Sequence, residues 1–180
     1  MAKLQYQCTM SLDGFIAGPG GDMSWLAAHL GPDPTAERIM RQTGALLVGR
    51  RTFDGDDPHK GTEHEGEPYG GGWDGPQFVL THRVPDAPVP GVTFATDLDS
   101  AVTAAKAAAG HRNVGVLGAR VAAQCLRAGL LDELYVSVVP VLLGDGTRLF
   151  DHPGGTRIRL EQLELTQTPG AATFVFRVLR

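Results

Sequence analysis

NVGVLGARVAAQCLRAGLLDELYVSVVPVLLGDGTRLF, residues 113–150, is the stretch that decides how this chain folds. Val114, Val116 and Leu117 make the short apolar run of a buried strand, and Gly118 breaks it. Val121, Ala122, Cys125, Leu126 and Ala128 then recur on one helical face, with Gly129 where a helix stops. Leu134 to Val139 returns as a second strand. Strand, glycine turn, helix, strand is the crossover unit of a parallel sheet. The turn leaves backbone N–H groups unpaired at a helix N-terminus, which suits a phosphate.

Upstream, the same alternation continues. Lys3 to Met10 reads as a strand with Leu4, Tyr6 and Cys8 on one face and Gln5, Gln7 and Thr9 on the other. In the following SLDGFIAGPGGDMSW, strong turn signals enclose Phe15, Ile16 and Trp25. Two readings stay open there: a loop folded over a ligand, or a hairpin corner whose apolar residues plug the sheet edge. Pro34 to Thr43 predicts a helix ended by Gly44, and Ala45 to Gly49 a strand buried on both faces. Residues 54–75 are rich in Gly, His and acids and predict a long mobile loop, with a substrate-covering lid as a further option. His59 and His64 match no known ligand spacing, so a solvated loop is favoured over a metal site. Phe78 to Leu80 and Val92 to Ala95 read as strands, and Leu98 to Ala109 as a helix capped by Asp97. Beyond Pro140 the alternation of strand and helix stops, and residues 157–167 and 171–180 predict a β-hairpin. The expected fold is therefore α/β, in three layers, with a mostly parallel sheet, helices on both faces and a C-terminal antiparallel hairpin.

Composition sets the bounds. At 180 residues and 42% hydrophobic, the chain suits one domain spanning 1–180. A net charge of −4 without a basic run argues against nucleic acid or a membrane surface as partner and favours a small molecule. Cys8 and Cys125 sit in apolar stretches, as buried thiols of a cytoplasmic protein do. No basic segment leads into an apolar core, so Met1 is expected to begin the mature chain.

Three strand ends carry similar equipment: Gly49-Arg50-Arg51-Thr52, Thr81-His82-Arg83 and Gly118-Ala119-Arg120. On adjacent parallel strands they would line one edge with donors spaced for an extended dinucleotide. Guanidinium groups and hydroxyls suit the additional 2′-phosphate of an NADP-type cofactor.

TMSLDGFIAG, LLVGRRTF, FVLTHR, VGVLGARVAAQCL and AGLLDELYVSVVPVLLGDGTRLF, in this order, resemble the dihydrofolate-reductase-like superfamily, and within it the reductase domain of bacterial riboflavin biosynthesis and its stand-alone relatives. The resemblance implies an NADPH-dependent reductase, usually a homodimer. Its substrate would be a small heterocycle, pterin-like or similar to 5-amino-6-(5-phosphoribosylamino)uracil. It implies that Thr9, Ile16 and Ala17 pack near the nicotinamide. Gly49, Arg50, Arg51 and Thr52, with Thr81, His82 and Arg83, match the adenosine-phosphate side. Leu117, Gly118, Ala119, Arg120 and Val121 match the turn under the pyrophosphate, where family members often carry paired glycines. Hydride transfer also needs a proton. Asp33 and Glu37 are the acids that follow Trp25, and Asp13 is a third candidate whose alternative role is to stabilise its turn. The rival readings are a non-catalytic NADP-binding protein of the same fold and a metal-dependent hydrolase using the His-rich loop.

Overall fold

The computed structural model describes residues 2–180. In chain order the elements are β1 (Leu4–Ser11), β2 (Phe15–Ala17), α1 (Ser24–Ala27), α2 (Pro34–Gln42), β3 (Thr43–Gly49), α3 (Arg50–Phe53), β4 (Gln77–Leu80) and β5 (Val92–Ala95). They continue as α4 (Leu98–Ala109), β6 (Asn113–Leu117), α5 (Ala119–Arg127), β7 (Glu133–Val139), β8 (Thr147–Arg148), β9 (Leu160–Thr168) and β10 (Ala171–Val178). The main sheet runs β5-β4-β3-β6-β1-β7-β10-β9. Strands β5 through β7 of that order are mutually parallel; β10 is antiparallel to both β7 and β9.

Local signals act where the sequence puts them. Gly118 adopts φ 101° to turn β6 into α5, and Gly129 adopts φ 68° just past the end of that helix. Asp33 accepts from Thr35 N and Ala36 N at the start of α2, and Asp97 accepts from Ser100 N at the start of α4. Gly44 behaves differently from expectation. Helix α2 ends at Gln42, Thr43 donates its hydroxyl to Ile39 O at 2.9 Å, and Gly44 lies inside β3. A Cβ at Gly44 would stand 2.7 Å from Ala109 O, so this glycine lets the end of α4 cross the strand closely.

On one sheet face, Leu4, Tyr6, Leu47, Val114, Val116 and Leu134 pack under α4 and α5 through Ala101, Ala105, Val121, Ala122 and Cys125. Each fully buried Val or Leu contributes roughly 1.5–3 kcal/mol. That burial, more than the propensity of a nine-residue helix, holds α5 in place. The opposite face is covered in two pieces. Helix α2 seats Ile39 on Tyr135 and Val175, while Phe53, Tyr69 and Trp73 pack on Leu46, Val48 and Val79. The 54–75 segment is thus docked at its far end, where the sequence suggested a mobile loop. Gln5 and Gln7 share this face, and only 2% and 6% of their surface is exposed.

Candidate cofactor and active site

Because β4, β3 and β6 are neighbours in parallel register, their carboxyl ends form one edge, with Gly49 opposite Leu80 and Val48 opposite Leu117. The three expected tips converge there. A Cβ on Gly118 would overlap the Thr52 hydroxyl, and one on Gly49 would meet Val121 Cγ1 at 3.6 Å. The first turns after β3 and β6 therefore touch, leaving a cradle that only a glycine at 118 keeps open. Ala119 and Val121 follow in the first turn of α5, and Val121 is buried against the sheet.

Thr81 is buried at the tip of β4, and its hydroxyl accepts from Arg83 N at 3.1 Å. Arg50 is not a free cation: it pairs with Asp54 and its guanidinium carbon lies 5.7 Å from the Phe94 ring centre. Its Nη1 is nevertheless buried without a hydrogen-bond partner, a donor suited to an incoming anion. Arg51, His82, Arg83 and Arg120 are exposed and form no ion pair among the described residues. This edge thus joins a glycine cradle, an orphaned guanidinium nitrogen and unspent positive charge. It fits a polyphosphate nucleotide.

At the tip of β1, Ser11 donates to Asp13 Oδ1 at 2.5 Å and accepts from Phe15 N at 3.0 Å. Asp13 also accepts from Leu143 N at 3.1 Å and Gly144 N at 2.7 Å. The Ser11 hydroxyl first, then these amides, hold its carboxyl at about 2 against the usual 3.8. Asp13 is ionised at neutral pH and stitches two turns together, the alternative the sequence offered. Ile16 and Ala17 lie on β2, which pairs with β8, and Arg148 stacks 4.4 Å from the Phe15 ring centre. β2 thus makes its ladder with a strand from far along the chain and not a hairpin with β1.

Asp33 and Glu37 are separated by the fold. Glu37 is exposed on the outer side of α2 and faces Arg41 at 3.6 Å. Asp33 Oδ1 caps α2, while its Oδ2 lies 3.2 Å from Thr173 Oγ1 and 3.3 Å from the Tyr135 hydroxyl. Thr173 is also 3.1 Å from Ser137 Oγ. Since Thr9 pairs with Ser137 and Gln7 with Tyr135 across β1 and β7, Asp33 sits on the sheet face that Thr9 shares.

Sequence reasoning missed this face as a polar seam. Tyr135, Ser137, Thr173, Gln7 and Thr43 are all buried and hydrogen-bonded in two groups, Gln7 with Thr43, and Tyr135, Thr173 and Ser137 with Asp33. The alternating glutamines of β1 were its one visible signal. The Trp25 indole nitrogen is buried without a partner. In the His-rich segment, His64 Nδ1 lies 3.1 Å from Glu67, and no group of three or more His, Cys, Asp or Glu gathers for a metal among the described residues.

The RibD C-terminal domain family matches residues 2–173. A comparison with curated protein sequences returned no match. Among solved structures, a Shewanella sp. PV-4 protein described in connection with riboflavin biosynthesis has 22% identity and a TM-score of 0.73, covering 100% of both chains. A pyrimidine reductase-like protein from Corynebacterium diphtheriae has 16% identity and a TM-score of 0.68, covering 99% of this chain and 92% of its own. The Thermotoga maritima diaminohydroxyphosphoribosylaminopyrimidine deaminase/5-amino-6-(5-phosphoribosylamino)uracil reductase has 16% identity and a TM-score of 0.67. This chain is covered over 99% of its length in that match but spans only 57% of the Thermotoga protein.

Proposed function

Because the chain belongs to the RibD C-terminal domain family, we propose that it is an NADPH-dependent reductase that passes hydride to a small heterocycle, pterin-like or resembling 5-amino-6-(5-phosphoribosylamino)uracil. The observation that carries this reading is the contact of the Gly118 turn with Thr52, which makes one cradle of two strand tips. Gly118, Ala119 and Thr52 would hold the pyrophosphate there, with Arg50 Nη1 turned to its charge. Arg51, Thr81, His82 and Arg83 would take the adenosine 2′-phosphate, the feature that separates NADPH from NADH. Thr9, Ile16 and Ala17 would flank the nicotinamide, whose chemistry when bound is hydride donation. Of the three carboxylates, Asp33 is the one set on the face of Thr9, and we assign it the contact with the ring nitrogens of the substrate.

The same reading makes the protein a cytoplasmic homodimer. Leu160 and Leu165 are 42% and 48% exposed on β9, beside the stacked rings of Phe174 and Phe176. Helices α4 and α5 pack chiefly on β3 to β6, and Leu160 and Leu165 stay exposed beyond them. No helix among the described residues is long and apolar enough to cross a membrane.

A second reading, a non-catalytic NADP-binding protein, is favoured by one fact: Asp13 and Asp33 already have all their oxygens engaged. Fluorescence titration and turnover separate the two. We expect NADPH to bind at least about tenfold tighter than NADH, a difference of about 1.4 kcal/mol. Oxidation of NADPH in the presence of pterins or the phosphoribosylaminouracil supports the reductase. Binding without turnover across that panel supports the second reading, and no NADPH binding overturns both.

A further inference from the structure

The far end of the 54–75 segment is anchored by two side chains, Tyr69 and Trp73. Tyr69 has φ 55°, and Gly70 and Gly71 follow at 65° and 80°, a left-handed run that turns the phenol inward. The Tyr69 hydroxyl donates to Gln7 Oε1. Gln7 Nε2 is 3.1 Å from both Thr43 Oγ1 and Gln5 Oε1, and Gln5 in turn donates to the buried Glu133 at 3.1 Å. Gly115 makes the room: a Cβ there would lie 3.1 Å from the Tyr69 hydroxyl and from Gln7 Nε2. Trp73 braces the ring edge-on at 6.1 Å and donates its Nε1 to Thr43 O at 2.9 Å.

The near end of the same segment reaches another loop. Asp56 Oδ2 accepts from Met23 N at 3.1 Å, just ahead of Trp25 and α1. Between the two ends, Asp57 accepts from His59 N at 2.8 Å and from Gly66 N at 2.5 Å, and Glu65 accepts from Gly61 N at 2.8 Å. A segment bonded to itself in this way moves as a unit. The place of Asp56, and with it of the Met23 to Trp25 stretch, then depends on where Tyr69 is held.

We propose that Tyr69 is a positioning residue for the reaction: seated among Gln7, Thr43 and Gly115, it docks segment 54–75 so that Asp56 fixes the Met23 to Trp25 stretch, whose neighbour Asp22 accepts from Gly18 N at 2.8 Å next to Ala17. This deepens the reductase reading and rests on it. Tyr69 packs on Leu46, Val48 and Val79 beneath the tips of β3 and β4, but its hydroxyl bonds to Gln7 and to no group of the trench, so its loss is expected to lower turnover more than cofactor affinity. Burial pushes the phenol up to about 12, which keeps it a hydrogen-bond donor throughout the neutral range.

Hydrogen exchange and kinetics of the full chain test this with Tyr69→Phe and Asp56→Asn. We expect Tyr69→Phe to speed amide exchange about tenfold in residues 56–67 and 22–26, with β3 and β6 unchanged. Asp56→Asn is expected to speed exchange in 22–26 alone. For Tyr69→Phe, kcat/KM with NADPH and the phosphoribosylaminouracil falls about tenfold while the NADPH dissociation constant stays within about twofold. A merely structural role would weaken both together. Parent-like exchange in Tyr69→Phe overturns the positioning role alone, as does parent-like exchange in 22–26 for Asp56→Asn. Failure of the parent chain to bind NADPH overturns the reductase reading and the positioning role with it.

Discussion

Gly118→Ala probes the contact between the turns after β3 and β6 on which the proposed cofactor site rests. At φ 101° and ψ 134° the residue occupies backbone space that side-chain-bearing residues avoid, at a cost of about 1–3 kcal/mol. The added Cβ also overlaps the Thr52 hydroxyl. Turning Thr52 off its rotamer adds about 0.5–1.5 kcal/mol. The sum, about 1.5–4.5 kcal/mol, lowers the melting temperature of a chain this size by roughly 3–18 °C. Adding Thr52→Ala removes the overlap but not the backbone strain, so the double variant regains about 1 kcal/mol as a coupling between the two sites. NADPH affinity falls at least about tenfold in Gly118→Ala, since the turn can no longer present its amides in the same geometry. Thermal melts of the four-member cycle and NADPH titration read both effects. A Gly118→Ala midpoint unchanged from the parent, or strict additivity with Thr52→Ala, would refute the argument that the two turns touch.

The other expectations follow from the charges and surfaces. Arg51→Ala combined with Arg83→Ala weakens NADPH binding by about tenfold or more, since charge-assisted hydrogen bonds contribute about 1.5–3 kcal/mol each, and leaves NADH binding nearly unchanged; equal losses for both cofactors would remove these arginines from the 2′-phosphate. Asp13 is held at about 2 against 3.8, so its stabilisation is present above about pH 4 and lost as pH falls through 2. The gap in melting temperature between the parent and Asp13→Asn therefore closes over that window, and a gap independent of pH contradicts the assignment. Burial pushes the thiols of Cys8 and Cys125 up from 9.0 to about 12, and burial raises Tyr6 and Tyr135 as well. Their contribution is complete below pH 9 and lost as pH climbs toward 12, so a melting temperature constant across that range would count against it. Leu165→Asp places a charge on the uncovered face of β9 and shifts light-scattering mass from dimer to monomer; an unchanged mass argues for a different interface.

Asp97 as a cap, Gly118 and Gly129 as turns, and the period-two tail were legible because each is a local property of a few neighbouring residues. That the ends of β3, β4 and β6 share one edge was legible too, since a strand's carboxyl end is marked by where its apolar run stops. Gly44 misled because a glycine after a helix and a glycine under a crossing helix look alike until Ala109 is placed above it. Asp33 and Glu37, four residues apart in the chain, were indistinguishable as acids, and only the sheet beneath α2 separated them.

From its residues alone this chain determined its alternation of strands and helices, its glycine turns and the cationic equipment at three strand ends, all of which depend on periodicity and backbone freedom within a few positions. Tertiary structure decided that β1 lies between β6 and β7, that Gln5 and Gln7 are buried, and that Tyr69 reaches Gln7 across 62 positions. Those outcomes depend on which distant strands and side chains share hydrogen bonds in the absence of water, and no local pattern encodes a partner that far away.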